Sequence, residues 1–153
     1  MVDDVLLNKV ATIERCVGRA REEYAAAGAG FDTDYTRQDA AVLNIQRACE
    51  AALGAGHHLI RRERLRIPQS ARDVFTLLAQ AEWLETGLAG KLKRMVGFRN
   101  LAAHDYQSLL VPITINIITL HLDDFLQFTA ALLAHATDNE KQKGPVTKTR
   151  PDA

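Results

Sequence analysis

Eight consecutive positions of this 153-residue chain, RNLAAHDY from Arg99 to Tyr106, hold five side chains able to handle a phosphate or a proton. Arg99 is always charged, and its planar fork of donors fits phosphate oxygens. His104 has an intrinsic pKa of about 6.5, suited to taking and returning a proton near neutral pH. Asn100 is a candidate for orienting the imidazole or binding phosphate, Asp105 for sharpening the histidine's basicity or simply capping the helix end, and Tyr106 offers a phenolic hydroxyl. Arg99 and His104 are five residues apart, which on one regular helix turns them about 140° away from each other. Either the helix unwinds near His104, or a second copy of the chain completes the site. Asn100 and His104, at i and i+4, share a face.

The elements that must position these residues read as helices. Leu6, Val10, Ile13, Val17, Ala20 and Tyr24 step by fours and threes, and this first helix stops at AGAG, Ala27 to Gly30. A second starts near Tyr35 and carries Val42, Ile45, Cys49, Ala52, Gly56 and Leu59 on one face. Gly54 and Gly56 inside it predict a place where another backbone or a partner subunit presses in. It closes with RRERLRIP, where Arg61, Arg62, Arg64 and Arg66 complement the helix dipole before Pro68. Ser70 and Asp73 form a capping pair for a third helix with Val74, Phe75, Leu77, Leu78 and Ala81, and Trp83 anchors its far end. After a break at Thr86 and Gly87, a fourth helix presents Leu88, Leu92, Met95 and Phe98, and the polar motif lies at its C-terminal end. Val111, Ile113, Ile115 and Ile117 alternate as a strand would, but the breaker-free length after Pro112 favours a fifth helix with that proline in its first turn. The expected fold class is all-α, an antiparallel bundle of five helices over residues 1–137, followed by a polar, disordered tail over 138–153.

Composition sets bounds without naming a function. Apolar content is 47%, charged content 25%, and net charge zero, which suits one globular core and argues against a generic polyanion binder while leaving room for a local basic face. The N-terminus, MVDDVLLNKVAT, lacks the order of a secretory signal, and no run of apolar residues is long enough to span a membrane. Two cysteines, Cys16 and Cys49, are too few for a disulfide framework and sit in apolar stripes as small hydrophobes, so a cytoplasmic location is expected. His57 and His58 are adjacent and point apart, which does not suit one metal ion, and His121 with Asp124 lacks further ligands. No metal is expected.

Arg99, four residues, His104, one residue and Tyr106 match the R-x4-H-x-Y signature of the HepT-type toxins of the HEPN superfamily. The chain is similar to that family in CEAALGAGHHLI, DVFTLLAQAEWL and KLKRMVGFRNLAAHDY, over about residues 5–135. The resemblance implies the HEPN fold and a metal-independent endoribonuclease acting as a homodimer, with two motifs facing one cleft. It implies an RNA substrate and a partner, an MntA-type minimal nucleotidyltransferase antitoxin that uses ATP to add AMP to the signature tyrosine, here Tyr106. The chain itself would need no cofactor.

Because RNA supplies its own nucleophile in the 2′-OH, cleavage needs a proton acceptor and donor and positive charge for the developing phosphorane. Arg99 and His104 supply these, and an AMP on Tyr106 would place charge and an adenine in the same cleft. Asn100 and Asp105 are supporting residues. An alternative reading keeps the fold but not the chemistry: a non-catalytic HEPN module that binds nucleotide or a nucleotidyltransferase partner. The arginines at 61–66 and Lys91 and Lys93 could face RNA, although such a charge run more often marks a solvated helix end.

Overall fold

The computed structural model describes residues 2–103 and 107–142. Among them six α-helices follow one another: α1 (Asp4–Ala27), α2 (Tyr35–Arg62), α3 (Ala71–Gln80), α4 (Thr86–Ala103), α5 (Gln107–Leu120) and α6 (Leu122–Gln142), with a 3-10 turn at Gly28–Thr33 after α1. The all-α expectation is met. The predicted fifth helix is two helices, bent by 49° at His121. The acids of LHLDD explain the break, since Asp123 and Asp124 occupy the first turn of α6, where the positive end of a new helix dipole favours them. Pro112 sits inside α5 instead of opening it, because α5 already begins at Gln107.

Side-chain caps start the helices. Asp3 accepts from the Leu6 N–H at 2.8 Å and Asp34 from the Arg37 N–H at 3.1 Å. Ser70 accepts from the Asp73 N–H at 3.1 Å while Asp73 accepts from the Gln69 N–H at 2.8 Å, so the predicted capping pair is formed. Gly28, at φ 55°, carries the chain out of α1 in a conformation that glycine takes without strain. The break predicted at Thr86 and Gly87 falls earlier, between Ala81 and Glu85. Gly87 lies in the first turn of α4, where its added Cβ would meet nothing and where the N–H has no helical partner to lose.

α1 and α2 form the principal antiparallel pair, and their facing stripes, Leu6, Ile13, Val17 and Ala20 against Ile45, Cys49, Ala52 and Leu59, are all buried. Glu23 of α1 lies buried between Arg19 at 2.7 Å and Arg37 of α2 at 2.8 Å, tying the start of α2 back to the end of α1. Phe125, Phe128 and Leu132 bring α6 onto this core, with Phe75 of α3 edge-on to Phe128 at 5.8 Å. Trp83 stacks on His135 with ring centroids 3.8 Å apart and so anchors the α3–α4 connection on α6.

The glycines of α2 are used within the chain. A Cβ at Gly56 would collide with Val74 of α3, and one at Gly54 would stand 3.1 Å from the Lys9 side chain of α1. The pressing neighbours are therefore side chains of α3 and α1, and these glycines carry no argument for a second subunit. The predicted tail from Asp138 begins inside α6, which runs to Gln142, and residues 143–153 lie outside the described residues. No single helix among the described residues is long and apolar enough to cross a membrane.

Candidate active site

Arg99 and Asn100 occupy the last turns of α4. His104, Asp105 and Tyr106 lie outside the described residues, between Ala103 and Gln107, so the structure places part of the predicted constellation. The described end of α4 stops short of the histidine.

Arg99 is about one-third exposed and pairs through Nε with the Glu50 carboxylate of α2 at 3.2 Å. This pair uses one edge of the guanidinium. The two Nη groups have no partner among the described residues, which leaves donors for a phosphate. Arg99 and Glu50 line an open cleft of about 400 Å³ between α2 and the loop leading into α3, with Gly54, His57, Gln69 and Ser70 along it. Asn100 is exposed and makes no hydrogen bond among the described residues. Burial pushes the neighbouring Cys49 thiol up to about 12, a rise that Glu50 reinforces and Arg99 opposes. Cys49 is thus a buried thiol held protonated, and Cys16 is likewise free and buried, as expected for both.

Glu50 was not among the residues sequence reasoning singled out. Its partner lies far along the chain, and the helix pairing that brings them together leaves no local signal at position 50.

A second cleft, of about 410 Å³, opens on another side of α4 against α5 and the start of α6. Met95, Phe98, Ile113 and Ile117 make its apolar wall. The buried Asp124 carboxylate stands 3.4 Å from His121 and 4.0 Å from Lys91, too long for strong pairs. No third metal-binding side chain joins His121 and Asp124 among the described residues. His57 and His58 separate as expected: His57 lines the Arg99 cleft, whereas His58 bonds Asp3 at 2.6 Å.

An all-α bundle whose fourth helix delivers an arginine to an open cleft, five residues before a histidine, defines a HEPN-type domain. Residues 13–132 match the family model described as Ribonuclease HepT-like, and the chain belongs to that family. It is 45% identical over 133 residues, 87% of this chain and 99% of the relative, to a protein of Shewanella oneidensis described as mRNA nuclease HepT. Two solved structures are similar at 45% identity and 86% of this chain. One is a tri-AMPylated Shewanella oneidensis HEPN toxin in complex with MNT antitoxin (TM-score 0.81, 98% of that chain). The other is a toxin–antitoxin complex with AMP-PNP (TM-score 0.82, 99% of that chain).

Proposed function

We propose that this protein is the toxin of a toxin–antitoxin pair, a metal-independent endoribonuclease in which Arg99 and His104 act on RNA and Tyr106 is the switch. The observation that carries the reading is the R-x4-H-x-Y motif in a Ribonuclease HepT-like chain that spans 99% of a relative described as an mRNA nuclease. The part-exposed guanidinium of Arg99, lining the open cleft with its Nη donors unused among the described residues, is what a phosphate-binding role requires.

His104 takes the proton from the 2′-OH and returns one to the leaving 5′-oxygen, while Arg99 neutralises charge on the phosphorane. Asn100 and Asp105 support the histidine. The active form is a cytoplasmic homodimer, because Arg99 and a histidine five residues further on diverge along a regular helix and converge readily across a two-fold axis. The partner is a nucleotidyltransferase antitoxin, as in the relatives with an MNT antitoxin, and ATP serves that partner and not this chain. An AMP on Tyr106 adds a phosphodiester charge and a base where RNA must lie, and so silences cleavage.

Incubation of the unmodified protein with RNA in EDTA tests this directly. Cleavage is expected to persist in EDTA, to fall about 10²–10³-fold in Arg99→Ala and about 10²–10⁴-fold in His104→Ala, and to vanish on AMPylation of Tyr106. Full activity of stoichiometrically AMPylated protein sinks the switch. Unchanged binding of the nucleotidyltransferase with no cleavage by any form favours the non-catalytic module.

A further inference from the structure

The arginines that close α2 divide into two kinds. Arg66 is held by both carboxylate oxygens of Asp73, at 2.7 and 3.0 Å, and Arg62 by Asp3 at 3.1 Å and Glu63 at 3.0 Å, with its guanidinium 5.8 Å from the Trp83 ring centroid. Arg61 and Arg64 are exposed and have no partner among the described residues. Both line a cleft of about 440 Å³ whose apolar side is made by Ile60, Leu65, Ile67 and Pro68, with Ile67 79% exposed.

That cleft adjoins the Arg99 cleft, and His57 and Pro68 line both. The two make one groove along the outer face of α2. From Glu50 to Arg61 it follows eleven residues of helix, roughly 16 Å at about 1.5 Å per residue. Glu50 and Glu63, the acids nearest its ends, are each already paired with an arginine. The groove therefore offers the unpartnered Arg61 and Arg64 at one end, the Nη donors of Arg99 at the other, and Leu53, His57 and Pro68 between them.

Arg64 adds a backbone observation. The Leu65 N–H donates to the Ile60 carbonyl at 2.9 Å and the Arg64 N–H to the Arg61 carbonyl at 3.3 Å, which makes Arg64 the left-handed residue ending α2, at φ 54°. Glycine is favoured at that position, and an arginine there is strained. A strained residue whose charged side chain lines a groove and bonds nothing among the described residues is placed for something other than stability.

We propose that this groove is the path of single-stranded RNA to Arg99, with Arg61 and Arg64 holding backbone phosphates and Ile67, Pro68 and His57 receiving bases. The inference rests on the reading of the protein as one that acts on RNA. Alternation of cations with flat apolar surface fits a flexible strand, whose phosphates and bases both need a surface. An acidic protein surface would use the cations and leave the apolar floor and the continuity with Arg99 without purpose.

The test uses full-length unmodified protein and two RNAs of one sequence, one cleavable and one with 2′-O-methyl groups throughout. The double variant Arg61→Gln/Arg64→Gln is expected to bind the uncleavable RNA at least about 10-fold more weakly than wild type. Its binding should depend less on salt, the log–log slope falling by about 1.4, that is about 0.7 for each of two lost phosphate contacts. On cleavable RNA, KM rises with kcat little changed, and Arg66→Gln binds RNA as wild type does. Arg64→Gly is expected to raise Tm while weakening RNA binding, a split that a merely structural role cannot give. Equal affinity and slope in wild type and double variant overturn the groove, as does loss of nucleotidyltransferase binding with RNA binding intact, or failure of wild type to bind RNA. Weakened, flatter binding in the double variant with no cleavage even by wild type supports the groove and overturns the nuclease reading instead.

Discussion

At the scale of single residues, the candidate site is set by what Arg99 has already been given. Glu50 takes its Nε at 3.2 Å, and an exposed ion pair of this kind is worth about 0.2–1 kcal/mol, enough to orient the guanidinium without neutralising its phosphate-facing donors. Glu50→Gln should therefore leave Tm within about 4 °C, tighten RNA binding at low salt by removing a competing carboxylate, and lower kcat a few-fold because Arg99 is less well held; single-turnover kinetics with a binding isotherm reads the split, and unchanged values of both show the pair to be inert. Cys49 gives a second residue-level expectation. With its pKa pushed up to about 12 by burial, it should resist alkylation of native protein at pH 8 and react only on unfolding, so that fast labelling would contradict its placement. What was legible here follows from chemistry that is local in sequence. Arg99 and its motif could be read because they fall within eight residues, whereas Glu50 could not, because only the packing of α2 against α4 gives it a partner. The division of the basic cluster was likewise hidden, since the chain shows four arginines and only the fold shows that Asp3 and Asp73 take two of them.

At the scale of elements, periodicity placed α1 through α4 because each buries one stripe against a neighbour. It missed the break at His121, where both halves are apolar and the only sign is a pair of acids in a new first turn. It also misplaced the turn after α3, which ends not at a glycine but at Glu82, left-handed at φ 65° as Arg64 is at φ 54°. Replacing Glu82 by glycine is expected to stabilise the protein by about 1 kcal/mol without touching RNA cleavage, readable as a Tm rise of about 2–4 °C. The glycine at the α2–α3 contact makes the opposite expectation. Gly56→Ala drives a methyl into Val74 and crowds Leu78, 3.3 Å away, and should cost about 1–3 kcal/mol by overpacking; a denaturation midpoint equal to wild type would show that α3 yields without cost.

At the scale of the whole molecule, an N-terminal ion cluster ties α1 to α2 and makes stability depend on acid. Burial alone would raise the Asp3 carboxyl, but the bonds from His58, the Leu6 N–H and Arg62 hold it at about 2, below the ordinary 3.8. A depressed carboxylate contributes stability that is present above pH 3.8 and is lost as pH falls through about 2. Asp3→Asn, which keeps the helix cap and removes the charge, should cost about 1–2 kcal/mol at pH 7 and converge with wild type near pH 2 in urea melts. The larger question is whether the site belongs to one chain or two. The space beside the α2 glycines is filled from within the chain, so the proposed homodimer rests on the five-residue spacing of Arg99 and His104, which would diverge on a regular helix. Mixing Arg99→Ala with His104→Ala after unfolding and refolding them together decides it. If each site takes its arginine from one subunit and its histidine from the other, half of the dimers are mixed and one of their two sites is intact, so RNA cleavage should return to about a quarter of wild type from two inactive parents. Cleavage no greater than that of either parent would contradict a shared catalytic site.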